Sequence, residues 1–447
     1  MRIIIAGAGA VGTHLAKLFS RERHDITLID EDASRLANLS SNYDMLTLQT
    51  SPSSIQGLRE AEAGSADIFI AVTPDEARNM LICMLASRLG AKKTVARVNN
   101  AEYLGEEHRK YFASLGIGAM IYPEELAAEE IMNSVRRSWV RQCVQIQGGK
   151  LLLLCIKVRK GAPILNRPLR EVSLPESPFH VVAIKRRGET IIPHGNDSIR
   201  HQDAVYFMTK PDCLDELKVI TGKDEYPNVT NVLFLGGGST TERALTRLPD
   251  FMHAKVFETN EHRIEELDGL IGKSHVMYIN GDGRDVDLLI EEGINKAQAF
   301  VASTANSEMN ILSCLTAKRA GVRKTVAMVE NLDYIQMAES LDIGSILNKK
   351  TIAAAYIYQM MLKADVTTVK SLLIANADVA EIVVAEGSKA TRNPVKDLAL
   401  PASTTLGGMV RGGKAYLING MTQLEKGDIV VAFCTDNSLK RLEKYFK

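Results

Sequence analysis

The sequence predicts an α/β protein with two doubly wound parallel sheets, each followed by a small α+β domain. Three observations predict it. Short apolar, β-branched runs alternate with segments of helical periodicity over roughly the first 120 residues, the pattern of a parallel sheet covered by helices. Residues 3–5, all isoleucine, run directly into Gly7-x-Gly9-x-x-Gly12. The whole pattern then restarts after residue 230, so that Ala302-Ser303-Thr304 answers Ala71-Val72-Thr73 at an offset of 231 residues.

Each element of the first half follows from local sequence. Apolar residues at Val11, Leu15 and Leu18 share one face of a helix that starts in the glycine turn. A second apolar run, 26–29, ends in Asp30. Strand, glycine turn, helix, strand and terminal acid form the Rossmann-like arrangement that grips a dinucleotide. Gly7 allows the turn, Gly9 lets backbone approach a pyrophosphate, and Gly12 lets the helix pack close to the strand. The free N–H groups of the turn and the positive end of the helix face the phosphates, Ala8, Ala10 and Val11 count among the candidate cofactor contacts, and Asp30 is placed to accept from the adenosine ribose hydroxyls. There follow a helix over 33–39, a strand over 45–48, a helix ending near 61 and a strand over 68–72. A helix over 76–89 stops at Gly90, with a strand over 94–98 behind it. A helix over 101–115 and a strand over 120–122 complete the sheet.

Pro123 opens a helix expected to run to 140 and to carry the only tryptophan, Trp139. Short strands and turn residues then dominate to about 217, closed by a helix over 214–220. The small domain repeats as well, with 167–175 answered by 393–401 and 201–209 by 426–434. The expected order is a nucleotide domain over 1–122, a crossover helix over 123–140 and a small domain over 141–222. The second set spans 229–348, 349–368 and 369–447.

Composition narrows the function. Lys plus Arg and Asp plus Glu are 54 each, so zero net charge gives no footprint for nucleic acid. The local clusters Arg136-Arg137 with Arg141, and Lys185-Arg186-Arg187, read as solvated faces. The six cysteines are scattered without a CxxC pair or partnered histidines. They are expected to be buried hydrophobes in a reducing cytosol, with no metal bound. No apolar run approaches the ~20 residues of a membrane span, so a soluble, cytosolic protein is expected.

In the first half the candidate ligand shell is the 7–12 turn, Asp30, Thr50 and Ser51, Thr73 and Pro74, and Arg97. All but the turn stand at or just beyond the C-terminal ends of predicted strands, the edge at which open α/β sheets bind ligands. The second-half counterparts are Gly236, Gly238, Glu258, Gly281, Asp282 and Thr304. Thr241 replaces the third glycine there, and Met328 replaces Arg97. A β-branched residue at 241 is expected to hold the helix off the strand or to demand a different turn. The second site should therefore be weaker, altered in ligand or empty. Neither half offers a His–Asp pair, a Ser–Lys pair, a metal cluster or an activated cysteine beside the cofactor position. This favours a sensor over the alternative class, an NAD-dependent oxidoreductase.

The glycine turn with Asp30, Thr73 with Asn79, Ala96-Arg97-Val98 and Tyr122-Pro123-Glu124 resemble the RCK (KTN) nucleotide-binding domain, and the two small domains resemble the RCK C-terminal domain. Two such pairs in tandem resemble the family of peripheral regulatory subunits of Trk-type potassium uptake systems. The resemblance spans the chain except at Thr241, Met328 and Gln49-Thr50, which depart from its pattern. It implies a non-enzymatic, cytoplasmic gating ring, a homotetramer joined through RCK domains and peripheral to the inner face of the membrane. The ring would bind NAD or NADH, with ATP or ADP as further ligands, and control an integral membrane potassium transporter of TrkH/TrkG type. A gating ring for another potassium channel or exporter differs only in its membrane partner.

Overall fold

The computed structural model describes residues 1–447 except 21–23, 38, 40–42, 173, 175, 227, 363–368, 373–376, 402, 436–438 and 447. By packing, the chain divides into two compact units. One holds Met1–Glu129 with Asn348–Met361, and the other Glu130–Leu347 with Leu362–Lys447.

In the first unit, β1 (Arg2–Ala6), β2 (Asp25–Asp30), β3 (Leu46–Gln49), β4 (Ile68–Ala71), β5 (Thr94–Arg97) and β6 (Ala119–Ile121) form one sheet. Its order is β3-β2-β1-β4-β5-β6, and every pairing is parallel. Strand order reverses between β1 and β4, which opens a crevice at the C-terminal edge. Ile4, Phe69, Ala96 and the inner face of the helix Glu76–Leu89 (Ile82, Cys83, Ala86) make one of its cores. The predicted helix over 33–39 is observed as Ala33–Leu36, with residue 38 outside the described set. The predicted helix over 101–115 is broken. A 3-10 turn, Ala101–Leu104, ends at Gly105 in extended conformation before the helix Glu106–Ser114. The side chain of Leu18 lies outside the described residues.

The second unit repeats this sheet. Its strands are β12 (Asn231–Leu235), β13 (His253–Glu258), β14 (Val276–Asn280), β15 (Ala299–Ala302), β16 (Lys324–Met328) and β17 (Ser345–Leu347), in the order β14-β13-β12-β15-β16-β17. It also holds two antiparallel sheets. The first is β10-β9-β11-β8-β7, with β7 Gln142–Ile146, β8 Leu151–Lys157, β9 Phe179–Arg186, β10 Glu189–Ile191 and β11 Ala204–Thr209. The second is β18-β19-β22-β20-β21, with β18 Val369–Leu372, β19 Ala377–Val383, β20 Thr404–Arg411, β21 Lys414–Leu417 and β22 Ile429–Cys434. The helix from Pro123 stops at Arg136, short of Trp139. Arg141 N–H bonds the Cys155 carbonyl, so the chain must already be turning into β7, a strand that local sequence did not signal. The second crossover helix is Lys349–Leu362, and the rest of its predicted span lies outside the described residues.

β8 is apolar at nearly every position because both of its faces are covered. Leu152, Leu154 and Ile156 pack with Leu217, while Leu151, Leu153 and Cys155 meet Val379, Val431 and Phe433 of the second small domain. Both small domains carry the same buried latch. Arg186 donates to both carboxylate oxygens of Asp203 (3.0 and 2.7 Å), and Arg411 does so to Asp428 (2.8 and 2.7 Å). The expectation of solvated basic faces is thus overturned at three positions. Arg186 is latched, Lys185 pairs with Glu339 at 2.9 Å and Arg141 pairs with Asp342, each mostly removed from water. All six cysteines are free, but Cys143 and Cys213 are only partly buried, against the expectation of burial throughout. Burial pushes the Cys83 and Cys314 thiols up to about 12, which keeps both protonated and inert.

Candidate functional site

The crevice at the C-terminal edge of the first sheet is a cleft of about 580 Å³, counting the space open to solvent. Gly7, Gly9, Asp30, Thr73 and Pro74 line it, together with Glu31, Asp32, Arg35, Pro52 and Arg78. Gly7 adopts φ +105°, a conformation that only glycine takes without strain. A Cβ on Gly12 would stand 1.9 Å from the Gly7 carbonyl oxygen, whereas one on Gly9 would meet nothing within 4 Å. Gly12 therefore serves the packing of helix on turn, and Gly9 leaves room for a ligand. Ala8 and Gly12 flank the turn, Ala10 and Val11 start the helix Ala10–Ser20, and none of the four lines the cleft.

Asp30 ends β2 almost wholly buried. Its Oδ2 accepts the Ala8 N–H at 2.7 Å and its Oδ1 accepts the Asp32 N–H at 2.9 Å. The carboxylate is thereby locked to the glycine turn. Each oxygen has a second lone pair, so both can still accept a hydroxyl. Thr73 is held by Asn79, whose Oδ1 accepts from the Thr73 N–H (2.9 Å) and hydroxyl (2.7 Å) and whose Nδ2 donates to the carbonyls of Thr73 and Arg97. The Asn79 amide thus clamps β4 to β5, and Thr73 offers the cleft its methyl and backbone more than a free hydroxyl.

Not every predicted residue reaches the cleft. The Thr50 N–H bonds the Asp30 carbonyl at 3.1 Å, which ties the turn after β3 to the end of β2, and of that turn Pro52 rather than Thr50 lines the cleft. Ser51 does not line the cleft and reaches it through Glu31, to which its hydroxyl donates at 2.5 Å, and through Arg78, from which it accepts at 3.4 Å. Arg97 does not line the cleft, and its Nε is buried without a hydrogen-bond partner. The cations at the mouth are instead Arg35 and Arg78. Arg78, in the first turn of the helix Glu76–Leu89, binds the Glu31 carboxylate and Ser53 Oγ (3.1 Å). The Ser51 hydroxyl and Arg78 hold the Glu31 carboxyl below its usual range. Arg78 follows the helix-capping Asp75 at the cleft edge, where a guanidinium can meet an oxyanion.

The second site copies the scaffold and changes the furniture. Gly236 has φ +95°, and Glu258 Oε2 accepts the Gly237 N–H at 2.8 Å, as Asp30 does from Ala8. Glu258 Oε1 also accepts from the N–H groups of Thr259 and Asn260 (2.8 and 2.9 Å). Burial alone would raise the Glu258 carboxyl, but these three backbone donors hold it below its usual value. Of the two outcomes expected of Thr241, a helix held off the strand or a different turn, the second is not met. Its hydroxyl bonds the Gly236 carbonyl at 2.6 Å and Ser303 Oγ at 2.6 Å, so a polar contact stands where Gly12 makes a close approach. Asp282, in the Gly281-Asp282 turn, is tied to Arg284 two residues on. A Cβ on Gly281 would stand 2.6 Å from Leu288 Cδ2, so that glycine is needed for packing. Gly238 is as open as Gly9, and Thr304 is clamped by Asn310 as Thr73 is by Asn79. Met328 is buried. Arg263 lies across the turn, donating to the Gly237 carbonyl (2.8 Å), Glu242 (2.7 Å) and Glu266 (2.6 Å). Among the described residues no group of three or more His, Cys, Asp or Glu side chains is placed to hold a metal ion. No described helix is long and apolar enough to cross a membrane.

Known proteins carry the same pattern. The TrkA-N domain matches residues 3–123 and 232–349, and the TrkA-C domain matches 153–222 and 379–447. A Trk system potassium uptake protein TrkA homolog of Archaeoglobus fulgidus is 30% identical over 100% of both chains. The Trk system potassium uptake protein TrkA of Vibrio alginolyticus is 31% identical over 97% of this chain and 95% of that one. Among solved structures, the GsuK RCK domain superposes with a TM-score of 0.62 at 15% identity, covering 100% of this chain and 94% of that chain. The GsuK channel bound to NAD gives 0.60 at 14%, over 100% and 78%. At such identities the likeness is one of fold. With two TrkA-N and two TrkA-C domains over most of its length, the chain belongs to the TrkA family.

Proposed function

We propose that this chain is the nucleotide-sensing regulatory subunit of a potassium uptake system, with NAD or NADH bound in the cleft at the first glycine turn. The observation that carries the reading is the lock between Asp30 and the Ala8 N–H, inside a cleft lined by Gly7, Gly9 and Thr73. The adenosine ribose would lie on Asp30 and the pyrophosphate over Gly9, with Arg35 and Arg78 as the cations in reach. Asp30, Glu31 and Asp32 together disfavour a 2′-phosphate, which selects NAD(H) over its phosphorylated form. ATP or ADP would share the adenosine and phosphate subsites. The family and the full-length relatives, named for potassium uptake, support the regulatory role. Fold neighbours described as bound to NAD and to ADP support the ligand class.

The subunit would act as a cytoplasmic homotetrameric ring, peripheral to the membrane, on a transporter of TrkH/TrkG type. The domain boundaries in the sequence define its modules, and the second glycine turn mainly completes the ring. Nucleotide can move the transporter only by its differential affinity for two ring states, typically about 1–3 kcal/mol per coupling. Asp30→Ala removes the ribose acceptor, and its calorimetric affinity for NADH should fall roughly 10–100-fold, the loss of about 1.5–3 kcal/mol for a charged hydrogen bond. Glu258→Ala should leave that affinity within about twofold. Unchanged affinity in Asp30→Ala would remove the assignment, and steady oxidation of NADH by the wild-type chain with a small substrate would replace the sensor by an oxidoreductase.

A further inference from the structure

A second cleft lies wholly within the second unit, where the first small domain meets the second nucleotide domain. Counting the space open to solvent it measures about 380 Å³. Seven cations converge on it: Arg141, Lys157 and Arg159 from the first small domain, Lys223 beyond it, and Lys318, Arg323 and Lys324 from the second nucleotide domain. Against them stands Asp342, which pairs with Arg141, with Arg159 at 2.6 Å and with Lys318 at 3.6 Å. Lys157, Lys223, Arg323 and Lys324 pair with no described carboxylate. Lys324 is 3% exposed, and its Nζ is spent on the Val140 carbonyl (2.6 Å) and Ser345 Oγ (2.9 Å). The Tyr226 ring orders two others, with Lys223 Nζ 4.7 Å and Arg323 5.4 Å from its centroid. Trp139 stands on the wall.

We propose that this cleft is a binding site for a phosphate-type oxyanion, with one phosphoryl group held by the guanidiniums and lysines and any larger body left in solvent. Gathering seven cations around one directly paired carboxylate, with Glu339 and Asp203 acting only from a distance on Arg141 and Lys157, is costly unless an anion joins them. Guanidiniums offer the forked donors that phosphate oxygens take in pairs, and lysines add point charge. The cost is visible in the lysines. Burial, with the Arg141 and Arg159 charges close by, lowers Lys157, Lys223 and Lys318 to about 8, and burial beside Arg141 lowers Lys324 to about 7. The cleft owes nothing to the glycine turns, so the proposal stands apart from the nucleotide reading.

Trp139 is the only tryptophan, so its fluorescence reports on this cleft alone. The full chain is titrated at constant ionic strength with inorganic phosphate, pyrophosphate and ADP, with potassium chloride as the control. A saturable change with pyrophosphate that weakens at least tenfold in Arg323→Glu and in Lys223→Glu is the expected result. Arg323 is exposed, so that variant keeps the test open if Lys223→Glu fails to fold. A change with ADP alone, abolished by Arg323→Glu, makes a nucleotide the source of the phosphate. No saturable change, a change matched by chloride, or equal responses in wild type and both variants overturns the proposal. Asp30→Ala should leave the response intact, so this result and the nucleotide assignment fail separately.

Discussion

At the mouth of the first parallel sheet, Arg35 stands half exposed, 3.8 Å from Asp30 and 3.5 Å from Asp32. On the second sheet the same helix position, three residues past the capping Asn260, is Arg263, whose side chain is only 19% exposed and bonded to the turn and to two glutamates. The acid-to-glycine-turn lock is common to both. What differs is how far the arginine past the cap stays open to solvent: Arg35 is half exposed, while Arg263 is used up by neighbouring groups. The opposite end of the sheets diverges too. Lys93, just before β5, is exposed, while its counterpart Lys324, opening β16, is buried against the Val140 carbonyl. A duplicated scaffold has kept its topology while one copy turned its polar groups inward.

The largest effect should come from the third glycine. In Gly12→Ala the new methyl would overlap the Gly7 carbonyl, a backbone atom with little freedom to move, and overpacking of this kind costs about 1–3 kcal/mol or more. Urea unfolding should detect it, with NADH binding lost in parallel. At the matching position, Thr241→Val keeps the side chain's volume and removes only the hydroxyl's bonds to Gly236 and Ser303, at about 1 kcal/mol, with NADH binding unchanged. Equal losses in the two variants would erase the distinction between the turns.

Next in size is the arginine pair. Arg263→Ala leaves Glu242 and the Gly237 carbonyl without their donor and should cost about 1.5–3 kcal/mol of stability. Arg35→Ala should stay within about 0.5 kcal/mol, as expected for an exposed position, while weakening nucleotide severalfold. The reverse pattern, read by unfolding and calorimetry, would make Arg35 the structural member of the pair.

The glycine turn, the acid at the end of β2, the parallel sheet and the repeat were legible because each rests on local chemistry: a positive φ, a strand-end acid, a period of apolar residues. Arg97 was misjudged because strand-end position says nothing about which way a long side chain turns. Arg78 and Arg263 were missed because their roles depend on partners about 25 residues away, Ser53 and Gly237. The early end of the helix at Arg136 depends on what the next segment must pair with, since Arg141 N–H already bonds the Cys155 carbonyl of β8. Burial of Lys324 was invisible for the same reason, since nothing near residue 324 tells that Val140 will cover it.

That burial gives the smallest expected effect, and one with a definite sign. Burial beside Arg141 lowers Lys324 to about 7, from 10.5 for the ordinary side chain. Between those two values the unfolded chain holds a proton at this site that the folded chain does not, so stability should rise with pH across the window. Below about pH 7 both states are protonated and the contribution is flat. The slope from one such group is at most ~1.4 kcal/mol per pH unit. Lys157, Lys223 and Lys318, lowered to about 8, add to it only above that pH. Between pH 7 and 8, therefore, Lys324→Met should remove most of the rise in the urea midpoint. Lys93→Met, at the exposed counterpart, should remove none. If the two methionine variants keep the same slope, the burial of Lys324 against the Val140 carbonyl does not set the pH dependence, and the contrast between the two sheets would reduce to their glycine turns.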